Sequence, residues 1–142
     1  MTSGKKIVLD ANILVRGVLG QRVPDLLHRY HDSPLFYTPS FCFSEARRHL
    51  PAILGRRSHA DPGMVLHALN ALHVIVQPVD EAAYAGHEEE AKQRIREQDI
   101  DDWPVVALAI TLDCPVWTED KDFFGTGIPT WRTRNVEIYL SS

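Results

Sequence analysis

The chain has 142 residues, 44% hydrophobic and 24% charged, and fifteen Lys and Arg against nineteen Asp and Glu give a net charge of −4. That length suits one domain, taken as residues 1–142, and the composition excludes fibrous and disordered classes. No apolar run approaches the roughly 20 residues that cross a bilayer, so a cytoplasmic protein with no membrane partner is expected. Cys42 and Cys114 lack any CxxC or Cys/His spacing that would mark a zinc site, and both are expected to be reduced and buried.

The first apolar run, Ile7-Val8-Leu9, reads as a central strand buried on both faces, and Asp10 ends it. Ala11 to Leu19 follows at helical spacing, and Pro24 opens a second helix to about Tyr30. Leu35 to Thr38 reads as the next strand. A helix from Pro39-Ser40 to about Leu50 then carries Glu45 in its second turn, tilted back toward the helix start. Asp61-Pro62 is an N-cap followed by proline, the start of a helix through Leu72.

Val74-Ile75-Val76 reads as a strand closed by Pro78, and Asp80 to about Glu97 as one long, half-buried helix with a stripe at Tyr84, Ala91 and Ile95. Asp101 or Asp102 then caps an apolar helix from Val105 to Leu112 that tolerates Pro104 in its first turn. Val116-Trp117 is a short strand leading to Thr118-Glu119-Asp120-Lys121-Asp122. Val136-Glu137-Ile138-Tyr139-Leu140 alternates and reads as a final edge strand.

Strands near 5–10, 35–38, 74–77, 115–118 and 136–140, with helices between them, specify a three-layer α/β/α sandwich around a central, mostly parallel sheet of four to five strands. In such a sheet the strand ends and helix starts share one edge, where ligands bind. Asp10, Glu45, Asp102 and Asp120 are expected to converge there from four separate elements. Carboxylates gathered without counter-charge either take up protons or bind a hard cation, and an all-oxygen set suits Mg²⁺ or Mn²⁺, one or two ions. The chemistry implied is hydrolysis of a phosphodiester. Asn12 and Thr118 are positioned to orient these acids, and Asp122 is a further ligand candidate.

Each acid has a plainer reading. Asp102 could serve only as an N-cap, and Glu45 could be a solvated helix residue paired with Arg48 or His49. Asp10 and Asp120 have no routine structural task at the end of a buried strand. Asp101 and Asp99 leave the third ligand open by a position. Arg47, Arg48, Arg56 and Arg57 form the dense basic cluster, with Lys121, Arg132 and Arg134 near the site; they are candidate phosphate contacts or a solvated basic face. Trp103, Trp117 and Trp131 read as core or rim packing.

These residues resemble the PIN-domain nucleases, and among them the VapC-type ribonuclease toxins of prokaryotic toxin–antitoxin pairs. The resemblance runs from Ile7 to about Leu140. It rests on Val8-Leu9-Asp10-Ala11-Asn12, Ser44-Glu45, Asp102 seven residues before Ala109, and Trp117-Thr118-Glu119-Asp120-Lys121-Asp122-Phe123. It implies metal-binding acids at Asp10, Glu45, Asp102 and Asp120 with Asp122 auxiliary, and a PIN-like fold. It also implies Mg²⁺- or Mn²⁺-dependent endonucleolytic cleavage of RNA, a cognate antitoxin covering the acidic groove, and a homodimer. The competing reading is a catalytically silent module on the same fold, binding RNA or a partner. A phosphoacceptor receiver domain is disfavoured because Asp10-Ala11-Asn12 lacks the adjacent acid pair it needs.

Overall fold

A computed structural model describes residues 4–32, 35–54 and 61–142. Five strands, β1 (Lys6–Leu9), β2 (Leu35–Pro39), β3 (Val76–Val79), β4 (Val116–Trp117) and β5 (Thr130–Trp131), form one sheet in the order β3-β2-β1-β4-β5. Every pairing is parallel, with Ile7 beside Phe36, Leu9 beside Trp117, Phe36 beside Val76 and Val116 beside Thr130. The fold is therefore the expected parallel α/β/α sandwich, with β1 at the centre of the sheet.

Among the described residues eight helices flank it: α1 (Ala11–Leu19), α2 (Arg22–Arg29), α3 (Ser40–Leu54), α4 (Pro62–Ala71), α5 (Glu81–Tyr84), α6 (Glu88–Ile95), α7 (Trp103–Leu112) and α8 (Val136–Leu140). Helices α1 to α4 pack among themselves, and α5 and α6 pack on α7, which lies against β1 and β2. That position explains why α7 is apolar all round: Pro104 to Ala109 are buried without a break. Ile7, Val8 and Leu9 are fully buried, as a central strand covered on both faces requires. Both cysteines are free and buried, and Trp117 is in the core beside Phe36 at 6.3 Å between ring centroids. Among the described residues no helix is long and apolar enough to cross a membrane.

Four expectations change. Val136 to Leu140 is a helix, because Val136 and Leu140, one turn apart, are the buried pair while Ile138 between them is 65% exposed. The edge strand is instead Thr130–Trp131, only two residues long. Val74 belongs to a 3₁₀ turn spanning Leu72–Val74, and β3 starts at Val76 and runs through Pro78. Proline is tolerated there because β3 is an edge strand paired only with β2. The helix expected from Asp80 to Glu97 is broken by a 3₁₀ turn at Ala85–His87, which contains Gly86, a weak helix former.

Candidate active site

Asp10 follows β1 at the sheet's carboxyl edge and caps α1: its Oδ1 accepts from the Ala11 amide at 2.8 Å. Its Oδ2 accepts from the Asn12 side-chain amide and the Thr118 hydroxyl, each at 2.8 Å. Thr118, fully buried after β4, in turn accepts from Asn12 at 3.1 Å and from the Asp120 amide at 2.9 Å. The Glu119 amide donates to Asn12 Oδ1 at 3.1 Å, so Asn12 stitches the end of β4 to the start of α1. Asn12 and Thr118 thus fix one carboxylate and hold two adjacent strand ends in register.

Asp120 caps a 3₁₀ turn at Lys121–Phe123, its Oδ1 accepting from the Asp122 amide at 2.9 Å. Asp10 and Asp120 therefore do carry structural tasks, contrary to the sequence expectation. Asp102 stands before α7 yet makes no capping hydrogen bond, and its carboxylate accepts none from the described residues. The capping acid nearby is Asp99, which accepts from the Asp101 amide at 3.0 Å.

Asp10, Glu45, Asp102 and Asp120 line one cleft of about 520 Å³, joined by Asp99. Asp101 is exposed and does not line it, and neither does Asp122. Burial lifts the Asp10 carboxyl to about 6, offset by its Thr118 and Ala11 hydrogen bonds and raised further by Asp120 and Glu45. Burial also raises Asp102, with Asp10, Asp99, Asp120 and Glu45 adding repulsion, and takes it to about 8. Asp102 is the less buried of the two but the more displaced, because no hydrogen bond stabilises its charged form. Glu45 is raised by burial and pulled back by His49 and Arg48, the latter 4.0 Å away.

The cleft is also lined by Arg16 and His49. Arg16 is one turn beyond Asn12, and His49 one turn beyond Glu45, so helical spacing from each acid-side residue is the signal that finds them. Arg47, Arg48 and Lys121 do not line it; Arg47 instead donates to Asn70 at 3.0 Å. Arg132 reaches Glu119 at 3.4 Å, and Arg56 and Arg57 lie outside the described residues.

The donor set is all oxygen with His49 at its rim, which fits a hard divalent cation rather than zinc. Among the described residues, however, no three acidic, histidine or cysteine side chains close around a common point. The acids share a cleft without yet forming a cage.

The chain belongs to the PIN domain family, whose model matches residues 8–141. Proteins of this family are generally nucleases. Among solved structures, the chain is similar to one in the crystal structure of VapBC2 from Rickettsia felis bound to a DNA fragment from their promoter. That match has a TM-score of 0.67 at 12% identity over 89% of this chain and 98% of that one. A second similar chain, in the crystal structure of FitAcB from Neisseria gonorrhoeae, gives a TM-score of 0.55 at 22% identity over 91% and 99%. No curated protein sequence matches significantly.

Proposed function

We propose that the chain is a Mg²⁺- or Mn²⁺-dependent endoribonuclease, the toxin of a VapC-type toxin–antitoxin pair, acting through Asp10, Glu45, Asp102 and Asp120. The observation that carries this is that four acids from four separate elements line one cleft at the sheet's carboxyl edge. Membership of the PIN family and likeness in fold to a VapBC chain support it. A cognate antitoxin and a homodimer follow from the same reading.

Asp10, Glu45, Asp102 and Asp120 would hold the ion, with Asp122, in the turn that Asp120 caps, as the auxiliary candidate. When bound, the cation supplies Lewis acidity for hydrolysis of a phosphodiester. Asn12 and Thr118 keep Asp10 aimed into the cleft through the hydrogen bonds at 2.8 Å. Asp102, which accepts no hydrogen bond from the described residues, would have its whole carboxylate available to hold the ion. Arg16, which lines the same cleft, offers positive charge to the RNA phosphate.

Purified protein is expected to cut single-stranded RNA with Mg²⁺ or Mn²⁺, to stop on addition of EDTA, and to lose at least a hundredfold in rate with Asp10→Asn while keeping its circular dichroism. Undiminished cleavage by Asp10→Asn would sink this assignment. One observation favours a catalytically silent module that binds RNA or a partner instead, namely that the described acids do not close into a cage. Calorimetric titration with Mn²⁺ separates the two, since the nuclease binds the ion and the silent module does not.

A further inference from the structure

Beside the acidic cleft lies a second, smaller concavity of about 330 Å³, walled by the end of α6 and the loop after Asp122. Its lining includes Arg94, Arg96, Glu97, Gln98 and Phe124. Phe123 and Phe124 divide sharply: Phe123 is 1% exposed, in the core, while Phe124 is 48% exposed. The extended backbone at Phe124, φ −70° and ψ 137°, sends the two side chains to opposite sides. The Phe124 ring therefore lines the concavity together with Arg94 and Arg96.

The concavity is held in shape. Arg94 donates to Glu90 at 2.8 Å and to the Thr126 carbonyl at 3.0 Å, pinning the loop to α6. Gly127, at φ +84°, admits that guanidinium where a Cβ would sit 2.8 Å from Arg94 Nη1. Arg96 and Gln98, in contrast, make no side-chain hydrogen bond or ion pair with the described residues, and both are exposed. A ring face, a free guanidinium and a free amide that both donates and accepts are therefore presented together.

Both walls are continuous in sequence with residues that line the acidic cleft. Gln98 precedes Asp99, which lines that cleft, and Phe124 follows Asp120 on the same loop. We propose that this concavity is a base-binding subsite that stacks an unpaired nucleotide of single-stranded RNA on Phe124, beside the bond to be cut. The subsite rests on the endoribonuclease reading and adds to it a named contact for one base. Phe124 supplies stacking, Gln98 meets the base edge, and Arg96 contacts the adjoining phosphate, with Glu97 the one carboxylate in the lining.

The test is fluorescence anisotropy of a labelled, mixed-sequence oligoribonucleotide with the full chain in Mn²⁺, every protein, wild type at the subsite or not, carrying Asp10→Asn so that the RNA stays intact, as checked on a gel. Base stacking predicts that Phe124→Ala weakens binding roughly fivefold to a hundredfold while Phe124→Trp preserves it. Arg96→Gln should weaken binding and lower the salt slope by about one. An abasic oligomer should bind wild type and Phe124→Ala alike, and Ile138→Ala, an exposed control on α8, should change nothing. Full affinity in Phe124→Ala overturns the subsite and leaves RNA binding standing; it is also the result expected if a protein segment occupies the ring instead. If the wild-type chain binds no single-stranded RNA, the endoribonuclease reading falls with it.

Discussion

Two aspartates that hold structure and one that does not divide the labour at the acidic edge. Asp10 accepts three hydrogen bonds and Asp120 caps a turn, whereas Asp102 is left with burial and repulsion alone. Its carboxyl is raised from 3.8 to about 8, so the folded chain binds a proton there that the unfolded chain has released. Stability from this group is thus undiminished below about 4 and falls as pH rises toward 8. Asp102→Asn is therefore expected to stabilise the metal-free protein at pH 8 by about 1–2 kcal/mol, the partial exposure of the group screening the rest, and to do little at pH 4. Urea denaturation in EDTA at the two pH values reads this. The convergence of the four acids on one cleft was legible because Asp10, Asp102 and Asp120 stand where an element begins or ends, and Glu45, in the second turn of α3, tilts back toward the helix start. The sorting of capping from uncapped acids was not, since an N-cap position in sequence does not reveal whether the side chain turns toward the backbone or into a cleft.

Element identity was legible where burial repeats over a turn or more. The continuous apolar runs of β1 and α7 and the Asp61-Pro62 start of α4, where Asp61 Oδ1 accepts from the Gly63 amide at 2.9 Å, follow directly from composition. The errors fell on pieces too short to show a period. Val136 to Leu140 alternates like a strand, and only Val136 and Leu140, buried one turn apart, identify the helix. Helix ends carry a sharper test. Asp113 closes α7 at φ 53°, the left-handed conformation that favours glycine, with its amide bonded back to Ala109 and Ile110. Asp113→Gly relieves that conformation and should raise stability by about 0.5–1 kcal/mol, read as an increased urea midpoint at unchanged slope. A lowered midpoint would mean that the aspartate side chain contributes more than its backbone costs.

At the scale of the molecule, one carboxylate fastens α8 to α2. Glu137 receives Arg22 at 2.7 Å, Arg29 at 2.8 Å and the Tyr30 hydroxyl at 2.6 Å, and Asp25 bridges the same two arginines. The Tyr30 and Arg22 hydrogen bonds lead in lowering the Glu137 carboxyl from 4.5 to about 2. Its contribution is thus present above about 4.5 and lost as pH falls toward 2. Glu137→Gln should lower the melting temperature at pH 7 and converge on wild type near pH 2. A constant difference across that range would assign the effect to shape rather than charge.

The strand order β3-β2-β1-β4-β5 also sets a sequence of events in time. The central strand is made first, yet its neighbour β4 is separated from it by most of the chain, and the Thr118 to Asp10 hydrogen bond closes a separation of 108 residues. Pairings so distant in sequence carry the larger loop-closure cost and slow folding relative to local contacts. While the ribosome is still adding α7, Asp10, Glu45 and Asp102 exist but Asp120 has not been synthesised, so the acidic edge lacks its fourth member. A chain stalled during translation then carries the fold's first half without a complete acid set, and a cell making this protein meets the finished edge only after synthesis has passed β4.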